Sequence, residues 1–409
     1  MDVKRILYLS YDGMTDPLGQ SQVLPYIIGL KEKGYNFTLI SFEKKERFEK
    51  GKSAIDSICQ ENGIQWQPLL YTKKPPILST LKDLKVLKNK IKELHKIKSF
   101  HIVHCRSYIT ALAGLWMKKK WGVKLIFDMR GFWADERVDG GLWKLNNPVF
   151  ASIYKYFKGK EQEFLISADH TISLTNAAKE EITSWDANKN FAPVDVIPCC
   201  VDLNLFNPSS INAHQTKTVK TQLQIQDDQK VISYIGSIGT WYLLEEMVDF
   251  FNTFLEVNKN AIFLFVTKDD QEEIQKVFKS KNLPLTSLRI VSAERNQVPL
   301  YISISDYSIF FIKPSYSKKA SSPTKQGEIM AMGVPVICND QVGDTSLVVE
   351  KYNAGIVVKE FSQNAYTNYV NDLKQKDFDQ QAIRRGAKEF FSLDRGIEKY
   401  HAVYEKVVK

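Results

Sequence analysis

The feature that most constrains this 409-residue chain is an alternation repeated along its length: a short apolar run, a loop, and a stretch with helical spacing. The opening "KRILYLSYDGMTDPLGQSQVLPYIIGLKEKGYNFTLISF" reads as strand, glycine-containing loop, helix closed by Gly34, and strand. "HIVHCRS", "VKLIFDM" and "HTISLT" continue the series, with helices predicted from Tyr108 and Asn176. These runs are apolar throughout instead of alternating, so the strands are covered on both faces, and the intervening helices make them parallel. A second series predicts strands over 231–235, 261–267, 288–292, 307–312 and in "AGIVV", with helices from about Leu243, from Asp270 and over 296–305. Two doubly wound α/β domains are expected, with ligands at the carboxyl ends of their strands.

The length fits two cores of roughly 100–200 residues each. Between the series, Pro208, Ser209 and Ser210 lead into the polar stretch "INAHQTKTVKTQLQIQDDQK", read as a linker. The predicted domains are residues 1–207 and 208–390, with a helical tail, 391–409, packing back on the first domain.

Apolar residues at 44% and charged residues at 25% are ordinary for a soluble globular chain. The cysteines, Cys59, Cys105, Cys199, Cys200 and Cys338, are odd in number and show no C-x-x-C spacing, so reduced thiols in a cytoplasmic protein are expected. Without an H-E-x-x-H or Cys/His cluster, no metal site is expected. The first apolar run is too short for a signal peptide, and no stretch approaches the roughly 18 apolar residues of a membrane span. The formal charge is +9, and residues 1–205 hold 31 Lys and Arg against 23 Asp and Glu, so the excess lies in the first half.

Much of that excess sits in "KKPPILSTLKDLKVLKNKIKELHKIKSF", where Leu81, Leu84, Leu87, Ile91 and Leu94 repeat at helical spacing. The opposite, basic face is either solvated or, with "WMKKKW" at 116–121, a contact for anionic lipid headgroups on the inner face of a membrane. No nucleic-acid module accompanies it, so nucleic acid is not an expected partner.

The segment "SSPTKQGEIMAMGVPVICND" at 321–340 carries the most chemistry. Ser322 is the expected N-cap, Pro323 the first helical residue, and Gly333 the stop. The free amides and dipole around Ser322, Thr324 and Lys325 would suit an anion. Glu328, one turn on, could accept two hydroxyl bonds from a ribose diol. Together these describe a nucleotide, and a capped helix with a solvated glutamate is the competing account.

Taken in order, "VIPCCVDLNLF", "SYIGSIG" and "SISDYSIFFIKPSYS…GEIMAMGVPVI…NAGIVV" resemble the family-four glycosyltransferases of the GT-B fold, the group 1 type, over nearly the whole chain. The resemblance implies two Rossmann-like domains facing across a cleft, the first binding the acceptor and the second a nucleotide-sugar donor. It implies retaining transfer to a glycan or lipid-linked acceptor in surface polysaccharide or glycoconjugate synthesis, with neither metal nor cofactor. A UDP- or GDP-sugar is the favoured donor, with a CMP-sugar kept open.

By the resemblance, Glu328 matches the second of two glutamates eight residues apart and holds the donor ribose, whereas the first falls on Ala320. The arginine and lysine that neutralise the diphosphate in the family fall on Ser237 and Tyr242. The missing charge is then expected from Lys325, Lys313, Lys318, Lys319 or a first-domain arginine. Arg130, in "FDMRGFWADERVDGGLW", stands before Gly131 about where many members carry a histidine near the transferred sugar. It would bind a phosphate or carboxylate, or else pair with Asp128, Asp135 or Glu136. The expected catalytic residues are Arg130, Lys325 and Glu328. The expected donor contacts add Gly236, Ser237, Lys313, Ser322 and Thr324. On the acceptor side stand Gly13 and Gly19, permitting close backbone approach, with Arg106 and Asp128. A sugar-nucleotide epimerase on the same fold and a catalytically silent binding protein remain as alternatives, the latter because of Ala320 and the absent cation pair. A nicotinamide dehydrogenase is disfavoured, since no loop reads G-x-G-x-x-G.

Overall fold

The computed structural model describes residues 4–75, 77–185 and 190–408. The chain forms two compact units, Met1–Pro198 with Leu393–Lys409, and Cys199–Ser392.

The first unit carries β1 (Arg5–Ser10), β2 (Asn36–Glu43), β3 (Gln65–Leu70), β4 (Ile102–Arg106), β5 (Lys124–Asp128), β6 (His170–Ser173) and β7 (Val194–Val196). They pair in parallel in the order β3-β2-β1-β4-β5-β6-β7. Ile6, Leu7, Leu39, Ile102, Val103 and Leu125 are fully buried, as apolar runs covered on both faces require. Strand β3 escaped the pattern because "QWQPLL" is no apolar run. It lies at the sheet edge, where Pro68 can be accommodated without a ladder donor.

The second unit carries β8 (Val231–Ile235), β9 (Ile262–Val266), β10 (Leu288–Val291), β11 (Tyr307–Phe310), β12 (Val336–Asn339) and β13 (Gly355–Val358), in the order β10-β9-β8-β11-β12-β13. Its strand order reverses between β8 and β11, which makes the carboxyl ends of those two strands the topological switch point.

Three assignments at the domain boundary are corrected. Residues 199–207 belong to the second unit: Phe206 is buried in its core, and Val201 donates to the Phe391 carbonyl at 2.7 Å and bridges Ser392. Phe391 and Ser392 therefore fall there too, and not in the tail. The stretch after Pro208 is no linker but a helix, Ala213–Gln222, closed by a capping box between Asn212 and Gln215. Val219 and Ile225 anchor that stretch in the second core.

The final helix, Leu393–Val408, packs on the first unit. Tyr400, Val403, Tyr404 and Val407 are buried. The Tyr404 hydroxyl lies 2.6 Å from His104 Nδ1, and the Tyr400 hydroxyl donates to Asp128 Oδ2 at 3.1 Å.

The lysine-rich helix runs Leu78–Ile97, but its buried stripe differs from the predicted one. Leu87, Ile91 and Leu94 face inward, whereas Leu81 is 58% exposed and Leu84 only half-buried. Asp83 takes the inward position instead, because the Tyr11 hydroxyl donates to its carboxylate at 2.8 Å and the Thr72 amide at 3.2 Å. All five cysteines are buried, and none forms a disulfide. Among the described residues, no helix is long and apolar enough to cross a membrane.

Candidate functional site

In the second unit, the chain leaves β8 through Gly236, whose φ of +112° suits a residue without a side chain. The following loop is stitched to the segment leaving β11. Leu243 donates to the Phe311 carbonyl at 3.0 Å, Lys313 to the Trp241 carbonyl at 2.8 Å, and Tyr242 bridges Ile312. Trp241 and Tyr242 are thereby fixed at the switch point.

The helix behind them spans Thr324–Ala331, and its start corrects the sequence reading. Pro323 is the N-cap, without a side-chain hydrogen bond, and Ser322 Oγ instead accepts from the Cys199 amide at 3.1 Å. Ser322 thus secures the segment that enters this unit. The Thr324 and Lys325 amides have no backbone acceptor among the described residues, as the first turn of a helix leaves them.

Lys325 does not lie beside those amides in solvent. Its side chain is buried, with Nζ 3.7 Å from the Tyr242 ring centroid and 4.2 Å from that of Tyr234, donating to the Tyr234 hydroxyl at 3.1 Å. A Cβ added to Gly236 would stand 3.2 Å from Nζ, so lysine and strand end are in contact range. Burial drives the Lys325 ammonium well below the ordinary lysine value, and the fields of Glu328 and Asp269 only partly offset it. Burial, with Glu328 nearby, also pushes the Tyr242 hydroxyl up to about 12. Lys318 repeats the device: it is buried with Nζ 3.6 Å from the Trp241 centroid. Lys313 is exposed, and Lys319 lies over Tyr316 at 5.3 Å. Two cations from the segment after β11 thus rest on the aromatic pair of the loop after β8.

Glu328 is no solvated helix residue. Its side chain is 8% exposed, and Oε1 accepts from Arg295 Nη1 at 2.8 Å. Arg295 was invisible in the sequence, where it lies in a polar turn far from Glu328 and matches no motif. Ala320 is buried. The structure therefore brings together Gly236, Lys325 and, one turn along the helix, Glu328, while Ser322 serves the chain itself and Ser237 accepts on its carbonyl from the Tyr234 hydroxyl.

In the first unit, the acceptor-side assignments of Gly13 and Gly19 are corrected. A Cβ on Gly13 would meet Glu43 Oε2 at 2.6 Å, and one on Gly19 the Gly13 carbonyl at 2.2 Å. The loop closes on the Glu43 carboxylate, which accepts from the Met14 amide at 2.7 Å, the Thr15 amide at 3.1 Å and the Thr15 hydroxyl at 2.6 Å. Gly13 makes room for that carboxylate, and Gly19 for the Gly13–Met14 backbone of the loop itself.

Asp128 is likewise corrected, because its side chain is fully buried. It gathers His104 Nε2 at 3.4 Å, the Tyr400 hydroxyl and Arg130 Nη1 at 3.8 Å. Burial raises its carboxyl, but Arg130, His104 and Arg106 together outweigh that and hold it below the usual carboxylate range. Arg130 follows β5 at φ +57°, strained for a side-chain-bearing residue, with its side chain 9% exposed. The pairing with Asp128 foreseen for it is thus present, and the arginine is held at a strand's carboxyl end. Arg106 is buried and donates to Asp12 at 3.3 Å and to the Gln22 carbonyl at 3.4 Å. Among the described residues, no group of three or more His, Cys, Asp or Glu could hold a metal ion.

Comparison with known proteins accords with this architecture. Residues 23–205 match the model of Glycosyltransferase Family 4, and residues 215–390 that of Glycosyl transferases group 1. No sequence among the curated proteins matches. The chain is similar to a glycosyltransferase from Rickettsia africae ESF-5, at 17% identity and TM-score 0.72, over 100% of both chains. It is similar to Anabaena Alr3699/HepE in complex with UDP, at 12% identity and TM-score 0.70, over 98% of this chain and 99% of that one. It is also similar to WaaG, a glycosyltransferase involved in lipopolysaccharide biosynthesis, at 12% identity and TM-score 0.68, over 97% of this chain and 99% of that one. At such identities the structures speak for the fold, and the two matched models, which together span most of both units, speak for the family: the chain belongs to the group 1 and family 4 glycosyltransferases and is a transferase of the GT-B type.

Proposed function

We propose that this enzyme transfers a sugar from a UDP- or GDP-sugar held by the second unit onto a glycan or lipid-linked acceptor held by the first. The observation that carries the reading is Lys325, whose ammonium nitrogen lies against Gly236 at the switch point, beside the residues where relatives place their diphosphate cations. Glu328 takes the ribose, the helix-start amides and Lys325 take the phosphates, and Arg130 meets charge at the reacting sugar. Catalysis is then positioning and electrostatic stabilisation of the leaving phosphate, which itself receives the acceptor proton. Transfer is retaining and metal-independent in this reading. Support for the donor class comes from Alr3699/HepE, solved with UDP and with UDP-glucose, and support for surface polysaccharide synthesis from WaaG.

A screen of UDP-, GDP-, CMP- and ADP-sugars by thermal shift and by donor hydrolysis tests the reading. Stabilisation and nucleotide release with a UDP- or GDP-sugar are expected. A folded protein that binds and turns over none of them would refute it, and a response to the CMP-sugar alone would replace the donor.

The site of action in this reading is the inner face of a membrane. The exposed face of helix Leu78–Ile97 bears Leu78 and Leu81 at one end, then Lys82, Lys85, Lys92 and Lys96. Beside it, Lys88, Lys92 and Lys120 lie 5.6, 5.8 and 5.6 Å from the Trp116 ring centroid. Each lysine near an anionic surface adds about 1 kcal/mol, screened by salt. Co-sedimentation with anionic vesicles, weakening as salt rises and absent with neutral vesicles, is the expected result. Equal binding to both, or to neither, would leave the face merely solvated.

A further inference from the structure

The environment of Glu328 contains a residue that no family pattern announces. Oε1 of its carboxylate is taken by Arg295 Nη1 at 2.8 Å, while Oε2 has no hydrogen-bond partner among the described residues. The arginine is itself held. Its guanidinium carbon lies 5.3 Å from the Phe206 ring centroid, and Phe206 is fully buried, its carbonyl accepting from Arg384 at 3.0 Å. A line of contacts thus runs from the core, through a guanidinium over a buried ring, to one oxygen of a nearly buried carboxylate.

We infer that Arg295 is the positioning residue of the donor site, fixing Glu328 so that Oε2 presents its lone pairs to the ribose hydroxyls. The inference rests on the nucleotide-sugar reading above. A glutamate side chain turns about several bonds, and a carboxylate that must be ordered at the moment of binding forfeits part of what its hydrogen bonds yield. Anchoring Oε1 stops rotation of the carboxylate plane beforehand. The cation–π contact with Phe206 does the same for the guanidinium, whose planar fork suits carboxylate pairing as a lysine would not. Because this preorganisation acts only through hydroxyl contacts, it governs discrimination between ribose and 2′-deoxyribose more than general affinity for the nucleotide.

The experiment is a calorimetric titration of wild type, Arg295→Ala, Arg295→Lys and Glu328→Gln with UDP and with 2′-deoxy-UDP. Wild type is expected to prefer UDP by about tenfold, the loss of one hydrogen bond to a charged group. Arg295→Ala and Glu328→Gln should each bring that preference close to unity, weakening UDP more than 2′-deoxy-UDP, which keeps only its 3′-hydroxyl, and Arg295→Lys should restore only part of it. A purely structural role would weaken both ligands equally, and a latch that Arg295 must vacate would make Arg295→Ala bind UDP more tightly; either result overturns the inference. Loss of the preference in Glu328→Gln but not in Arg295→Ala removes Arg295 alone. A wild type that does not distinguish the two ligands, or binds neither, removes the Glu328 assignment and the inference with it.

Discussion

Lys325→Met is expected to lower sugar transfer by roughly 10²–10³-fold while making the protein more resistant to heat. The loss follows from what the side chain faces. Removing one preorganised donor from a water-excluded site costs about that much when charge develops on the leaving group. Lys325 is buried against Tyr234 and Tyr242 with one hydrogen-bond partner, so its field is little screened. The gain follows from the same burial. Methionine fills similar volume between two rings without an amine to desolvate, which is worth on the order of 1 kcal/mol, or a rise of roughly 2–4 °C.

The pH dependence has a definite sign. In the empty site burial lowers the Lys325 ammonium, whereas a bound diphosphate favours it, so the complex keeps its proton to higher pH than the free enzyme. Donor affinity is therefore flat below the lowered value and falls as pH rises from there toward the value in the complex. Lys325→Met should lack that fall. Undiminished transfer by this variant would shift the cationic role to Lys318 or Lys313.

Truncation after Ser392 is expected to have the largest effect on folding, with loss of cooperative unfolding in the first unit. Tyr400, Val403, Tyr404 and Val407 are buried there. At roughly 1.5–3 kcal/mol per large buried side chain, their removal rivals the 5–15 kcal/mol by which domains are typically stable. It would also strip Asp128 of the Tyr400 hydroxyl and His104 of the Tyr404 hydroxyl, leaving both polar groups open on one side. Differential scanning calorimetry should show one remaining transition. Tyr400→Phe, a gentler change, should cost about 1–3 kcal/mol through Asp128 alone. A truncated protein with two intact transitions would show that the helix is dispensable.

What could be read from the sequence divides along a physical line. Strands β8, β9 and β11 were legible because both of their faces are covered, which leaves a continuous apolar run. Strand β3 was not, since an edge strand with Pro68 need not be apolar. Glu328 and Lys325 could be picked out because they sit at fixed offsets within one helix. Their partners could not: Arg295, Tyr234 and Phe206 come from distant segments, and only the folded chain brings them close. Gly13 and Gly19 misled for a related reason. A glycine reports that something approaches closely, without saying whether it is a ligand or, as here, Glu43 of the neighbouring strand for Gly13 and the chain's own backbone for Gly19. The helix Leu78–Ile97 shows the limit of periodicity itself, because a single hydrogen-bonded aspartate, Asp83, outcompeted Leu81 for the inward position.

The return of the last helix to the first unit also bears on how the protein is made. The ribosome releases the whole parallel sheet of that unit before the second unit, but the element that covers His104 and Asp128 emerges only after Cys199–Ser392 has been made. At about 5–20 residues per second, synthesis of Cys199–Ser392 leaves that surface bare for on the order of 10–40 s. The nascent first unit is thus a natural client for chaperones, and the second, continuous in sequence, completes its fold before the first does. A circular permutant that places 393–409 ahead of Arg5 would reverse that order and should shorten the interval in which the growing chain is prone to aggregate.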